Sequence, residues 1–311
     1  MVTIRTFYDP GFAAPIGTHV MPMEKFGRVA EGVCRLEGVE VSSPVPAAAE
    51  DLQRVHTPAY IDAIRTGIPK DLAESQKFPW TSELYPSVCL TNGGVIAAAS
   101  AALDQGVAAA VASGFHHAHA DHGEGFCTFN GLVVALERLR SDNRIRSAAI
   151  VDLDLHYGNG TAALVRSRSW IRALSVYGND YADNQAFRDV SIRQHEDGAN
   201  HMSLSLRAGC RQAEHLQQVR RGLDWILEAG RPDLILYQAG ADPFREDPYS
   251  PLDLGIEDLW ERDREVFWFA RRHRLPLAWV LAGGYTRDLA KVVEIHLNTF
   301  RAALEVYGHG A

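Results

Sequence analysis

An apolar segment at residues 148–151 runs directly into Asp152, Asp154 and His156, and this junction constrains the fold more than any other feature. In an extended strand alternate side chains point the same way, so these three groups share one side of the segment. Charged side chains are almost never buried unless they are paired or bind a metal. Two carboxylates and an imidazole at a strand end therefore indicate a divalent-metal site with oxygen and nitrogen ligands. A salt-bridged strand end with a capping aspartate is the alternative that this segment alone leaves open.

Polar side chains follow three other apolar segments in the same way. These are His116 and His117 after residues 106–112, Asp242 after residues 234–238, and Tyr285, behind paired glycines, after residues 277–281. In open α/β sheets, ligands bind at the carboxyl ends of the strands. Adjacent histidines and Gly-Gly-Tyr turns are weak signals alone, because solvated loops and ordinary turns contain them too. Four strand ends that all carry polar groups predict one shared functional site.

The apolar pattern of the whole chain predicts an alternating α/β protein. Strands are predicted at residues 3–8, 106–112, 147–153, 171–176, 234–238 and 277–281. Helices are predicted at residues 24–36, 58–65, 93–103, 130–139, 160–166, 213–228, 256–272 and 287–304. The apolar runs of the strands are continuous rather than alternating, which is typical of a parallel sheet that helices cover on both faces.

Length, charge and cysteine content limit the classes of function that remain. The chain of 311 residues is long enough for one large α/β domain, which we expect to span residues 1–311. Its formal net charge of −8 argues against direct nucleic-acid binding, which needs a basic field. The four cysteines lack Cys-x-x-Cys spacing, which favours reduced thiols and a cytoplasmic location. We expect no signal peptide and no apolar run long enough to span a membrane.

The motifs together resemble those of the histone deacetylase superfamily, which also contains acetylpolyamine amidohydrolases and bacterial acetoin-utilisation proteins. They occur in the order His-His, Gly-Phe-Cys, Asp-x-Asp-x-His-x-Gly-Asn-Gly, Gly-x-Asp and Gly-Gly-Tyr, and the resemblance extends over residues 8–298. Features such as Gly-Phe-His-His at residues 114–117 are most similar to the class IV branch. The resemblance implies a single-domain, three-layer arginase/deacetylase fold, with a parallel sheet of about eight strands flanked by helices. The active site is then expected at the carboxyl ends of the strands.

The resemblance also implies two metal sites. Asp154, His156 and Asp242 are expected to bind one catalytic zinc ion per chain, which leaves an open position for water and substrate. A structural potassium ion is implied as well. Its ligands would be the Asp154 side chain, the Ser175 hydroxyl, and the carbonyl groups of Asp152, His156 and Val176.

By the same resemblance, the remaining polar groups act as catalysts. His117 is expected to be the principal base and acid, with His116 as its electrostatic partner. Asp152 is expected to orient His116, and Asn159 to orient His117. Tyr285 is expected to donate its hydroxyl to the oxyanion of a tetrahedral intermediate.

Four residues are expected to form the substrate tunnel. Phe126 is predicted to be one wall, with Gly125 beside it allowing close approach of the backbone to the substrate. Tyr181 is the candidate for the facing wall, in a loop at residues 177–184 that differs from the class I pattern. Tyr249 stands where many relatives have a leucine at the pocket rim.

The loop between the two motifs His-His and Gly-Phe-Cys carries four more polar side chains. His119, Asp121, His122 and Glu124 have side chains that metals can bind. The favoured interpretation is a solvated loop at the mouth of the site, because the superfamily has no ligands here and charged loop residues are usually solvated.

The leading functional hypothesis is a zinc-dependent deacylase that hydrolyses the amide of an Nε-acyl-lysine in a protein or peptide. An amidohydrolase of small acylated amines such as acetylpolyamines is the alternative, and the class IV resemblance leaves the acyl length open. A two-manganese ureohydrolase related to arginase is disfavoured, because Gly158 stands where that class has a metal-binding aspartate. A non-catalytic binding protein is disfavoured because every expected catalytic position is filled.

Overall fold

All six predicted strands occur in the computed structural model, which describes residues 3–181, 195 and 198–308. Two more strands, which the apolar pattern did not predict, complete the sheet in this part of the chain. The strands are β1 (Ile4–Phe7), β2 (Val39–Ser42), β3 (Val107–Ser113), β4 (Ala148–Asp152), β5 (Ile171–Tyr177), β6 (His201–Ser205), β7 (Leu234–Ala239) and β8 (Leu277–Leu281).

The strands form one sheet in the order β2-β1-β3-β8-β7-β4-β5-β6, and every pairing between neighbours is parallel. Because all strands run the same way, their carboxyl ends lie along a single edge of the sheet. The four strands with polar ends, β3, β8, β7 and β4, are consecutive neighbours at its centre. The prediction of a parallel α/β sheet is confirmed, and so is the expectation that these four ends meet.

The two strands missed from sequence are the outermost ones. Strand β2 is short and none of its four residues is fully buried, whereas β6 carries a histidine and two serines among its five residues. Edge strands touch the core on fewer sides than central strands, so they need no continuous apolar run.

Helices in the described residues follow the predicted pattern closely, with two short additions, α2 and α4. Helix α9 has the predicted bounds, and Asn130 caps α6 by accepting a hydrogen bond from the Val133 amide at 3.1 Å. The helices are α1 (Glu24–Val33), α2 (Ala49–Gln53), α3 (Pro58–Thr66), α4 (Lys70–Ala73), α5 (Leu84–Gln105), α6 (Gly131–Ser141), α7 (Asn159–Val165), α8 (Gln212–Glu228), α9 (Ile256–Arg272) and α10 (Leu289–Gly308).

Helices cover both faces of the sheet. Every residue of β3, β4, β7 and β8 is buried, which requires cover on each side. Helices α1, α10, α9 and α8 pack in succession against one another, and a second group is built around α5, which packs on β3 and α6. The helices flanking the sheet confirm the expected three-layer α/β architecture.

Helix α5 begins nine residues earlier than predicted and corrects one expectation. Its 22 residues are long and apolar enough to cross a membrane, although we expected no such run. Within its most apolar window, 67% is buried inside the protein. Gly93 allows the segment around Val45 to pack directly against α5. A Cβ atom at position 93 would lie only 2.0 Å from the Val45 carbonyl oxygen. Core helices commonly have such length and composition, so the feature alone is weak evidence for a membrane span.

Arg262 on α9 ties two central strand ends together from inside the protein. Its side chain is fully buried, and its Nη1 donates to the carbonyl oxygens of Leu153 at 3.2 Å and Gly240 at 2.7 Å. These carbonyls lie just beyond β4 and β7. Its Nε donates to Asp263 at 2.8 Å, and Asp263 in turn accepts a hydrogen bond from Thr299 at 2.6 Å. The buried ion pair therefore fixes the positions of the two chain segments that leave β4 and β7.

Substitution of Arg262 by Met should lower the free energy of unfolding by about 3–5 kcal/mol, because Asp263 would be left as an uncompensated buried charge. Arg264→Met is the matched control on the same helix. The ion pairs of Arg264 with Glu261 and Glu305 are partly exposed, so its loss should cost about 1 kcal/mol or less. Chemical denaturation of both variants measures the difference. Equal losses in the two variants would contradict a central anchoring role for Arg262.

Candidate active site

Three donor groups converge where β4 and β7 end. The ligand atoms of Asp154, His156 and Asp242 all lie within 4.8 Å of one another, and all three residues are buried. The His156 Nδ1 atom is 3.1 Å from an oxygen of Asp154 and 3.1 Å from an oxygen of Asp242. Zinc–ligand bonds of about 2.0–2.2 Å in a tetrahedron separate neighbouring ligands by about 3.3–3.5 Å. The donor set and its spacing therefore fit a zinc-sized divalent ion.

Backbone amides hold the two carboxylates in this arrangement. The Gly283 amide donates to Asp154 Oδ2 at 2.8 Å, and the Leu155 amide donates to Asp242 Oδ1 at 2.9 Å. Only glycine fits at position 283, because a Cβ atom there would lie 1.8 Å from Asp242 Oδ2. The paired glycines after β8 thus let the backbone approach the carboxylates closely.

The charges of these buried groups depend on one another. Burial by itself lowers the pKa of His156, but its hydrogen bonds and charge interactions with Asp154 and Asp242 outweigh this and raise it to about 10. Burial raises the pKa of Asp154, yet the neighbouring His116 and His156 hold it well below its usual range. The neighbouring imidazoles thus favour the anionic form of Asp154, whereas burial and the charge of Asp154 raise the pKa of Asp242. A dication bound between the two carboxylates would favour the anionic form of both.

The two adjacent histidines lie beside these groups, and each has its own hydrogen-bond partner. The His116 Nδ1 is 2.7 Å from Asp152 Oδ2, and the His117 Nδ1 is 2.7 Å from Asn159 Oδ1. The structure thus brings together both pairs that the resemblance implies. Because the Asn159 oxygen can only accept, His117 donates through Nδ1 and its Nε2 is left as the acceptor in the neutral ring.

The two histidines differ in charge although their rings are only 4.0 Å apart. Burial opposes protonation of His116, but the charges of Asp152 and Asp154 raise its pKa above the ordinary value. Burial, together with the neighbouring His116 and His156, lowers the pKa of His117 well below the ordinary value. His116 therefore holds a proton more readily than His117.

Tyr285 follows β8, and its ring lies 6.3 Å from the ring of His156. Burial and the charges of Asp242 and Asp154 raise the pKa of Tyr285 well above its ordinary value, so its hydroxyl keeps its proton and can donate it in a hydrogen bond. The hydroxyl group of a tyrosine beside a metal-binding set can stabilise developing negative charge on an oxygen.

Two residues that sequence analysis gave no role hold the Tyr285 segment. Both oxygens of Asp247 accept backbone hydrogen bonds, from the Tyr285 amide at 2.7 Å and from the Tyr249 amide at 3.1 Å. Lys25 on α1 is fully buried, and its ammonium donates to the Ala282 carbonyl at 2.7 Å. Burial lowers the pKa of Lys25 to about 8. The position of Asp247 in an Asp-Pro pair after β7 was a weak sequence signal for a role near the site. No local sequence feature distinguishes Lys25 from the other residues of α1.

Gly125 and Phe126 lie against the catalytic candidates. Both have positive φ angles, and a Cβ atom on Gly125 would lie 2.3 Å from the His117 ring and 2.7 Å from the Tyr181 hydroxyl. The Phe126 ring lies 6.1 Å from Tyr285 and stacks on Phe78 at 5.6 Å. Glycine at position 125 is therefore required by close packing.

The two tyrosines predicted for the tunnel lie deeper than that prediction implied. Tyr181 stacks directly on His117, with ring centroids 3.8 Å apart, and residues 182–184 of its loop lie outside the described residues. Tyr249 is 8% exposed, with its ring 6.0 Å from His156 and 5.1 Å from Tyr285. The Tyr181 ring also lies 5.8 Å from His156, so both rings adjoin this candidate metal ligand. Their contact with substrate stays a prediction.

The residues expected to bind potassium are also neighbours. Strands β4 and β5 pair Asp152 with Ser175, and the Ser175 hydroxyl accepts a hydrogen bond from the Gly158 amide at 3.4 Å. Val176 is the next residue of β5 and is buried. The predicted groups therefore share one region behind Asp154, and the ion itself stays a prediction.

Two cavities adjoin the site and share the lining residues Met21, Ser113 and Phe126. The first has an empty volume of about 300 Å³, and His117, Asp154 and Tyr285 are among its other lining residues. The second, of about 400 Å³, is lined almost entirely by apolar side chains, among them Phe12, Phe26, Phe78, Leu84 and Val88. An apolar space thus lies next to the polar one.

Sequence comparison finds relatives that match most of the chain. The histone deacetylase domain family matches residues 19–300. An uncharacterised protein of Picosynechococcus sp. is 30% identical over 306 residues, which cover 96% of this chain and 98% of that protein. Histone deacetylase 2 of Arabidopsis thaliana is 28% identical over 92% of this chain and 74% of its own length. A probable deacetylase of Methanothermobacter thermautotrophicus is 26% identical, over 86% and 82% of the two chains.

Solved structures show the same fold at lower sequence identity. The HD domain of HDA15 superposes with a TM-score of 0.81 at 17% identity and covers 99% of this chain and 91% of that one. An acetylpolyamine aminohydrolase of Burkholderia pseudomallei gives a TM-score of 0.78 at 20% identity, covering 98% of this chain and 99% of that one. The similarity to the class IV branch of the superfamily stays a prediction. With a domain match over most of its length, the chain belongs to the histone deacetylase family.

Proposed function

We propose that this chain is a zinc-dependent deacylase that hydrolyses the amide of an Nε-acyl-lysine in a protein or peptide. One observation supports this most strongly: His117, Tyr285 and Asp154 line one cavity, and Asp154 belongs to a buried three-donor set with His156 and Asp242. Amide hydrolysis needs an activated water, a group that accepts its proton, and a donor to the oxyanion. The cavity has candidates for all of these roles.

Asp154, His156 and Asp242 would hold the ion. When bound, zinc supplies a Lewis acid that polarises a carbonyl group and acidifies a water molecule. The three protein donors leave room for further ligands, as in catalytic rather than structural zinc sites. Two carboxylates neutralise the charge of a dication, so a separate protein base is useful.

His117 would accept the proton of the attacking water and later donate a proton to the leaving amine. Asn159 fixes the direction of the His117 ring through the 2.7 Å hydrogen bond at Nδ1, so that Nε2 is the atom that exchanges protons. His116 would remain the electrostatic partner, because Asp152 holds its Nδ1. Tyr285 would donate its hydroxyl to the carbonyl oxygen as negative charge develops there.

The substrate would enter as an extended acyl-lysine side chain beside Gly125 and Phe126. The aromatic wall suits the methylene groups of such a side chain. We also propose that potassium binds near Asp152, Ser175 and Val176, and that the protein acts in the cytoplasm. The four unpaired cysteines support a reducing environment.

Substitution of Tyr285 by Phe should lower kcat on an acetyl-lysine peptide by about 10²–10³, because one oxyanion donor is lost. His117→Ala should lower it by about 10²–10⁴, because proton transfer is lost. Tyr307→Phe, at a partly buried tyrosine on α10, is the matched control and should keep full activity. Circular dichroism checks that all three variants are folded. Full activity of His117→Ala would contradict the assignment of His117 as the base. Turnover of an acetylpolyamine in the same assay tests the alternative of a small acylated amine as substrate.

The apolar cavity supports an extension of the substrate to acyl groups longer than acetyl. It adjoins the polar cavity through Met21, Ser113 and Phe126, and its lining is almost entirely apolar. Each buried methylene stabilises a complex by about 0.8 kcal/mol. We therefore propose that medium-chain acyl-lysines are hydrolysed at least as efficiently as acetyl-lysine.

Filling this cavity should shift the preference toward short acyl groups. Val88→Phe is expected to reduce kcat/KM for an octanoyl-lysine peptide about ten-fold or more, which corresponds to about two excluded methylenes. Turnover of acetyl-lysine should stay near the wild-type value. Leu90→Phe, on the same helix but outside the cavity lining, is the control. A wild-type enzyme that strongly prefers acetyl-lysine, with no change in Val88→Phe, would contradict an acyl-binding role for the cavity.

A further inference from the structure

The mouth loop, defined here as residues 118–124, brings three potential metal ligands together on the surface. The ligand atoms of His119, His122 and Glu124 all lie within 4.8 Å of one another. The side chains of the two histidines are 21% and 39% exposed and that of Glu124 is 20% exposed, so ions from solvent can reach them. The loop is separate from the Asp154 set in sequence and in its ligand atoms.

The distances within this cluster suit a shared ion better than direct hydrogen bonds. His119 Nε2 lies 3.7 Å from one oxygen of Glu124, and His122 Nε2 lies 3.6 Å from the other. A separation of 3.6 Å is too long for a side-chain hydrogen bond. It is close to the edge of about 3.3–3.5 Å between neighbouring ligands in a tetrahedral zinc site. Neither Nε2 atom is therefore hydrogen-bonded to the carboxylate. His119 Nε2 instead lies 3.2 Å from the Asn159 amide nitrogen, a hydrogen bond that a bound ion would replace.

Surrounding groups hold the ligands in the way that supports metal binding. The carboxylate of Asp121 lies 2.7 Å from His122 Nδ1 and places the proton of the neutral ring on that atom. The lone pair of His122 Nε2 is then available to a metal ion. The Asn159 amide donates to Glu124 Oε2 at 2.6 Å and orients the carboxylate. Metal-binding histidines characteristically use their second nitrogen on a carboxylate, and ligating carboxylates are themselves hydrogen-bonded.

The backbone of the loop is also fixed. The His119 amide donates to the His122 carbonyl at 3.0 Å, which forms the tight turn between the two histidines. His56 Nε2 accepts a hydrogen bond from the Asn130 amide, so the proton of the neutral ring is on Nδ1. His56 Nδ1 then donates a hydrogen bond to the His119 carbonyl at 2.9 Å. The two imidazole rings of the loop consequently stack, with centroids 4.5 Å apart and planes 7° from parallel.

We propose that His119, His122 and Glu124 bind one divalent transition-metal ion of the zinc type, in addition to the ion at Asp154, His156 and Asp242. Two imidazoles and one carboxylate form a donor set that suits zinc and cobalt. Asn159 connects the two regions, because its amide nitrogen bonds Glu124 while its oxygen bonds His117. The proposal revises the expectation of a solvated loop and is independent of the proposed deacylase activity.

Metal stoichiometry tests the proposal without an activity assay. The full-length protein is stripped with a chelator and titrated with Zn²⁺ or Co²⁺ by calorimetry, and bound metal is measured by mass spectrometry after gel filtration. The wild type should bind two equivalents. His122→Ala and Glu124→Gln should each bind one, and Asp242→Asn should bind one through the mouth loop. His273→Ala, at the end of α9, should bind two.

Two results would overturn the proposal: a wild type that binds a single equivalent, or folded His122→Ala and Glu124→Gln variants that still bind two. Circular dichroism establishes that the variants are folded. Glu124→Gln provides a near-isosteric second variant in case His122→Ala disturbs the turn.

Discussion

Burial of negative charge at one edge of a parallel sheet is the constraint on which this structure depends. Asp152, Asp154 and Asp242 are at most 2% exposed, and they lie within a few residues of two neighbouring strand ends. Carboxylates at such depth persist only with positive or hydrogen-bonding partners. The sheet order, the close-packed glycines and the buried basic side chains near these carboxylates all meet this requirement.

The partners of the carboxylates come from distant parts of the chain and have different tasks. His116 compensates Asp152, and Lys25 lies close enough to interact with Asp242, Asp154 and Asp247. Arg262 holds the backbone that leads into Asp154 and Asp242 rather than the carboxylates themselves. The protein thus fixes these candidate metal-binding groups both through their backbone and through amide hydrogen bonds to their carboxylates. Rigid positioning of this kind is what catalytic metal sites need.

Much of this arrangement could be predicted from sequence because it follows from local patterns. Continuous apolar runs identified β3, β4, β7 and β8, and the polar residues just beyond each run supplied the metal-binding and histidine candidates. The resemblance to a known family added the partners Asp152 and Asn159, which lie 36 and 42 residues from the histidines they contact. The features that were not predicted depend on contacts between distant parts of the chain or lack a clear apolar pattern. Lys25 reaches Ala282 across 257 residues, and β2 and β6 are edge strands with little apolar character.

Anomalous X-ray diffraction from crystals of the zinc-loaded protein, recorded on both sides of the zinc absorption edge, tests the central claim most directly. We predict one zinc peak about 2.0–2.2 Å from His156 Nδ1 and from one oxygen each of Asp154 and Asp242. Absence of a peak at this position, or a pair of ions bridged by these carboxylates, would contradict the single-ion site on which the account rests.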